Sequence, residues 1–182
     1  MNEKELYSLR FPVGEYTKPD VITPEHIAQW IKIIAEFPDE IKTLTHGLSV
    51  DAKNWKYRPD GWTLKQVVHH CADSHMNSII RFKWSLTEDS PKIKAYFEDR
   101  WSELPDAFDD DLEDTLLLLT GLHRRWVNLL NRLSDASLER TFFHPEHNKE
   151  FTLKETIGSY AWHCQHHLAH IRLALESGGK YN

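Results

Sequence analysis

The sequence is poor in the features that would mark a secreted, membrane or nucleic-acid protein. Cys71 and Cys164 are its only cysteines, too few for a disulfide framework and in keeping with reduced thiols in the cytoplasm. No run of about 18 apolar residues occurs, which argues against a membrane span. The first residues, MNEKELYSLRFPVGEY, lack the apolar stretch of a secretory signal. Clustered Lys and Arg are missing too. The net charge of −6 is spread along the chain apart from the acidic run Asp109–Asp111. Nucleic acid, whose binding rests on counterion release by clustered cations, is therefore not an expected partner. There is no internal repeat, no low-complexity segment, and no Gly-x-Ser-x-Gly elbow, Walker loop or dinucleotide fingerprint.

What the chain has is length for a hydrophobic core and helical punctuation. Its 182 residues, 40% of them hydrophobic, suit one domain spanning residues 1–182. The first helical pattern opens at Thr23-Pro24 and carries Ile27, Trp30, Ile31, Ile34, Ile41 and Leu44; Pro38 is expected to kink or split it, and Gly47 to stop it. Thr63 and Gln66 form a capping-box signature for a second helix that ends before Pro91. A third follows the acidic run, with a broad apolar face from Leu116 to Leu133. Thr152 and Glu155 open a fourth, which runs to Gly178-Gly179. Only FFHPEHNKEF alternates as strands do. The expected class is all-α, a four-helix bundle with at most a small β-hairpin. Its connections from Asp51 to Trp62 and from Pro91 to Leu104 are long for a simple bundle, and such loops often carry function. Some of the seven tryptophans are expected to line a pocket or an interface.

Histidine is the abundant chemical group, with 12 residues, four of them in WHCQHHLAH (Trp162–His170). His163/His167 and His166/His170 each repeat at i, i+4, a suitable bite for one metal ion. With histidine this common, chance alone gives roughly one such pair, so the spacing is weak by itself. Helix pitch places His163, His167 and His170 within about 60° of one another beside the apolar stripe, with His166 pointing further away. They could line a pocket, or form a polar seam bonded to one another and to backbone. On the second helix, His75 falls within the apolar stripe, as a satisfied core histidine would. His70 shares a polar strip with Ser74, Asn77 and Arg81 that faces either solvent or a cavity. No Glu follows the first histidine of the fourth-helix pair, which removes the zincin pattern, and the absence of any Glu-x-x-His removes the di-iron bundle. Both cysteines lie on apolar stripes and read as small buried hydrophobes.

The segments FPVGEY (Phe11–Tyr16), YRPDGWTLKQVVHHCADSHMNSIIRFKWSLTE (Tyr57–Glu88) and WHCQHHLAHI (Trp162–Ile171) resemble the YfiT group of the DinB-like superfamily. HRRWVNLL and FFHPEHNKEFTL fit it as well, so the resemblance covers nearly the whole chain. It implies an up-down-down-up four-helix bundle that holds one divalent metal ion through three histidines, one from the second helix and two from the fourth. Carried over, these are His70, His163 and His167. Cys164-Gln165 stands where relatives tend to have small and His residues, a departure at the pocket edge and not among the ligands.

The family's members are described as metal-dependent hydrolases, and DinB-like bundles include thiol S-transferases that use small thiols such as bacillithiol. The resemblance therefore implies an enzyme, cytoplasmic and homodimeric, acting on a small-molecule substrate. Three neutral imidazoles would leave a Zn²⁺ or Ni²⁺ ion an open position to activate water. Asp73, one turn from His70, is the candidate base or outer partner of the site, with an ordinary solvated carboxylate as the alternative. A metal-dependent thiol transferase needs the same three ligands, with Arg81, Trp62 and Trp101 as candidate substrate contacts. A non-catalytic metal-binding, stress-associated module is the third expectation.

Overall fold

Three of the four long helices begin on a reciprocal cap. Thr23, Thr63 and Thr152 each accept the backbone N–H three residues on, and His26, Gln66 and Glu155 each return a bond to the cap backbone. The computed structural model describes residues 1–182. Its elements are α1 (Glu3–Arg10), α2 (Pro24–Thr45), α3 (Val50–Lys53), α4 (Leu64–Thr87), α5 (Glu98–Trp101), a 3-10 turn (Pro105–Phe108), α6 (Glu113–Leu130), α7 (Asp135–Leu138), β1 (Thr141–His144), β2 (Lys149–Thr152) and α8 (Leu153–Ser177). The long helices α2, α4, α6 and α8 match the four expected patterns. β1 and β2 pair antiparallel, Phe142 opposite Phe151, as the expected small hairpin. Gly178 closes α8 in the left-handed conformation, φ 58°.

Contacts fix the helix directions. Trp30 packs at Gly158 and Glu40 pairs with Arg172, so α2 and α8 run parallel. His69 meets Thr115, His75 meets His123 and Phe82 meets Trp126, so α4 and α6 are parallel as well. α4 and α8 are antiparallel, since His70 meets His163 while Ser74 meets Tyr160. The order is up-down-down-up. Parallel α4 and α6 require a connection that travels the length of the bundle, which residues 88–112 supply. That crossover is pinned to the hairpin: Ile93 N–H donates to Phe143 O at 3.1 Å and Phe143 N–H to Pro91 O at 3.0 Å. Arg140 caps the end of α4 by donating to Ser85 O and Glu88 O. Ile34, Phe37, Leu64, Phe82, Trp126 and Ile171 are among the buried residues of one continuous core. No helix is long and apolar enough to cross a membrane.

Two expectations are corrected. α2 runs unbroken through Pro38, which is buried. Proline removes one N–H and so frees the carbonyl four residues back, that of Ile34; the bundle supplies another donor to it, described below. The first helix is α1 and not the Thr23-Pro24 element. Asn2 and Glu5 form its capping box, but it buries no residue, so hydrophobic periodicity could not reveal it.

Candidate metal centre

Antiparallel packing of α4 and α8 brings the middles of both helices together. His70 Nε2 lies 3.3 Å from His163 Nε2, and the His167 ring is 4.8 Å from that of His70 and 4.4 Å from that of His163. One ligand nitrogen from each of the three falls within 4.8 Å of the others. A tetrahedral ion with bonds of about 2.0–2.1 Å holds its nitrogens about 3.3–3.4 Å apart; the His70–His163 separation matches that spacing, and His167 lies close enough to complete a three-nitrogen donor set. Burial first, then neighbouring histidines, keeps all three neutral, the ligating form: His70 is pushed down to about 4, and His163 and His167 fall well below the usual range.

Two backbone carbonyls determine which ring nitrogens carry protons. His123 Nδ1 lies 2.6 Å from Ile34 O, the carbonyl that Pro38 leaves free. A carbonyl only accepts, so Nδ1 bears the hydrogen and His123 Nε2 accepts. His75 Nδ1 then donates to it at 2.7 Å, and His75 Nε2 accepts from His163 Nδ1 at 3.0 Å. The row ends with the lone pair of His163 Nε2 turned towards His70. Burial keeps the row neutral, with His75 well below its usual range and His123 down to about 4. A second row starts at Arg10 O, which accepts from His170 Nε2 at 3.2 Å. His170 Nδ1 accepts from His167 Nδ1 across a long 3.4 Å contact, leaving His167 Nε2 as a lone pair. Metal-ligating histidines ordinarily have such partners behind them.

The other expected residues fall as follows. His69 faces away, bonded to Thr115 Oγ1 at 2.8 Å and Asp109 O at 3.1 Å. His75 is fully buried with both nitrogens satisfied. His166, read from the helical wheel as pointing away, is buried and forms a second close triad with His167 and His170. The cause is the N-terminal segment, which covers that face: Phe11 and Trp162 flank the His166 ring at 6.0 and 4.4 Å. Asp73 does not line the cavity with the three histidines. It is partly buried, and its carboxyl is pushed up to about 6 by burial and then by Asp106.

The histidines sit in a cavity of about 490 Å³. The polar strip of α4 is one wall of it, through His70, Ser74 and Arg81, though Asn77 is not. Both long connections reach it: Tyr57 and Trp62 from one, Tyr96 from the other, while the hairpin adds His144 and His147. Sequence reasoning missed His123, His144 and the backing role of His75, because nothing in their spacing relates them to the site.

The profile of the DinB superfamily matches residues 33–171. The chain belongs to that superfamily. A protein of Bacillus mycoides (strain KBAB4), named "putative metal-dependent hydrolase", is 48% identical over 166 residues, which is 91% of this chain and 95% of that one. YfiT of Bacillus subtilis (strain 168), similarly named, is 44% identical over 164 residues, 90% of this chain and 92% of its own. A solved structure of YfiT, described as a probable metal-dependent hydrolase with an unusual four-helix bundle topology, superposes with a TM-score of 0.90. It covers 94% of this chain and 98% of that one. A histidine cluster able to hold a metal ion agrees with what these DinB relatives are named for.

Proposed function

We propose that this DinB protein is a metal-dependent hydrolase in which His70, His163 and His167 hold one divalent ion, Zn²⁺ or Ni²⁺. The observation that carries the reading is the 3.3 Å approach of the His70 and His163 Nε2 atoms inside a cavity large enough for a small molecule. Bound there, the ion supplies a Lewis acid with an open coordination position, able to lower the pKa of water to about 7. The protein's part is to present neutral imidazole lone pairs in fixed orientation, which the two histidine rows do for His163 and His167. Trp62, its ring 4.7 Å from that of His70, and Trp162 give the cavity apolar walls beside the polar donors. Tyr160, ring centroid 5.5 Å from His163, is tied to Ser74 O at 3.2 Å and keeps the far side of the site in place.

Thiol transfer is the second reading, and one observation shapes it. Both cysteines are buried, and burial pushes both thiols up, away from the reactive thiolate. A thiol nucleophile would have to come from a small molecule in the same cavity. Zinc- or nickel-loaded protein incubated with esters, amides, phosphoesters and epoxides, with and without small thiols, separates the readings. Thiol-independent hydrolysis is the expected result. Strictly thiol-dependent conjugation would replace it by transfer, and no turnover of any probe would leave a metal-binding module.

A further inference from the structure

Arg81 stands eleven residues after His70 on α4, which returns it to within about 20° of the same face and about 16 Å further along the axis. Helical side chains lean towards the N-terminus, so the guanidinium reaches back towards the histidines. It lines their cavity and is 9% exposed. Yet none of the protein's ion pairs includes it, its side chain donates no hydrogen bond within the protein, and Nε is fully buried without a partner. Four acidic residues, Asp60, Glu98, Asp99 and Glu146, line the same cavity, but none lies within ion-pair distance of Arg81. A buried cation without a counter-charge is costly, so proteins rarely keep one idle. His144, on β1, is one of three further residues that bring an unpartnered buried nitrogen to the same cavity, the others being Arg58 and His166. Arg58 also has a buried, unpartnered Nε, but unlike Arg81 it is held within the protein: its Nη1 donates to Pro59 O at 2.9 Å and its guanidinium lies over the Tyr57 ring.

We propose that Arg81, assisted by His144, is an oxyanion subsite of this cavity, and that the substrate is a small molecule with a carboxylate or phosphate at the end remote from the three histidines. The assignment of that anion to a substrate rests on the hydrolase reading; the binding of an anion at Arg81 does not. A guanidinium presents a planar fork of donors, which suits either oxyanion bidentately.

The test uses metal-free protein, so that the histidine site cannot itself bind the probe. Inorganic phosphate and succinate are titrated calorimetrically into the wild type, Arg81→Met and Arg81→Lys, and thermal unfolding is followed with and without each probe. The wild type is expected to bind one or both probes in a one-to-one ratio and to gain thermal stability from them; which probe binds better tells phosphate from carboxylate. Arg81→Met should weaken binding about tenfold or more, because a charge-assisted fork is lost. Its own melting temperature should stay level or rise, since an unpaired buried charge has been removed. Arg81→Lys should bind more weakly than the wild type and more tightly than Arg81→Met. Zinc retention in Arg81→Met should equal that of the wild type. The proposal is overturned if the wild type binds neither probe, if Arg81→Met binds as the wild type does, or if Arg81→Met melts lower, fails to fold or loses zinc. The last three would make Arg81 a structural residue. Absence of hydrolase activity would leave these readouts unaffected.

Discussion

The two α8 histidines of the candidate centre are held from behind in different ways. Behind His163 stand His75 and His123, both essentially unexposed, joined by contacts of 3.0, 2.7 and 2.6 Å that end on a core helix. Behind His167 stands only His170, at 3.4 Å, and that row ends at 3.2 Å on α1, a helix with no buried residue of its own. The first row is part of the hydrophobic core. The second hangs on a surface element. Removing a ring from the first should therefore cost both stability and metal affinity, and replacing the ring of the second by one of similar volume should cost mainly affinity.

The largest effects should come from the ligands themselves. His70→Ala, His163→Ala and His167→Ala should each lose bound metal during dialysis against a weak chelator, because two imidazoles rarely retain an ion that three hold. His166→Ala should keep one ion per chain. Metal content across the four variants is the measurement. Full occupancy in His70→Ala, or loss in His166→Ala, would move the centre to the other triad on α8.

Acid should act next, through both rows at once, in the metal-free protein. His70 and His123 are held down to about 4 and His170 to about 3, mainly by burial, from an ordinary value of 6.5. Between those values the unfolded chain binds more protons than the folded one, so stability rises with pH. Stability should thus be level above about pH 6.5 and fall as pH drops towards 4. Urea unfolding of chelator-treated protein at a series of pH values checks this, and a flat profile down to pH about 4 would contradict neutral buried rings.

The core-anchored row can be disturbed at its Ile34 end in two ways. His123→Ala strands Ile34 O and the His75 N–H and opens a cavity, so it should destabilise the fold by about 3 kcal/mol in denaturant titration. Pro38→Ala is gentler. It restores an N–H that competes for Ile34 O while removing a poor helix former, so stability should change little. Metal affinity should nonetheless fall about tenfold, as when an outer partner of a ligand is lost. Unchanged affinity in Pro38→Ala would disconnect the proline from the site.

How much of this was legible beforehand follows from what each feature depends on. The caps at Thr23, Thr63 and Thr152 are local, and the sequence displays them directly. The His163/His167 pair is also local, being set by helix pitch. His70 was ambiguous on its own helix, because a polar strip looks the same whether it faces water or a cavity; only its resemblance to a family motif pointed inward, and the structure puts it opposite His163. The histidine rows depend on which helices are neighbours and in which direction they run. His75 meets His123 because α4 and α6 are parallel, and no periodicity encodes that. Asp73 failed to join the cavity for a related reason: one turn along α4 from His70 is near in sequence, but the face it occupies turns towards Asp106.

The smallest expected effect separates the two rows most cleanly. His170→Phe keeps a flat ring stacked on Tyr57, which now lies 3.9 Å away at 19°, but it removes the nitrogen that accepts from His167 Nδ1. Of this row only His167 and His170 are buried, and the ring volume is nearly conserved, so unfolding stability should stay within about 1 kcal/mol of the wild type. The His167 proton is then no longer held on Nδ1, and the ring should populate both tautomers, which ¹⁵N resonances of the metal-free protein report directly. Zinc affinity should fall by less than about tenfold, because the ligand remains and only its preference for presenting Nε2 is relaxed. The His163 resonances should not move, since their partners end on Ile34. A stability loss matching that of His123→Ala, or a tautomer shift at His163, would show that the rows behave as one network and that α1 belongs to the core after all.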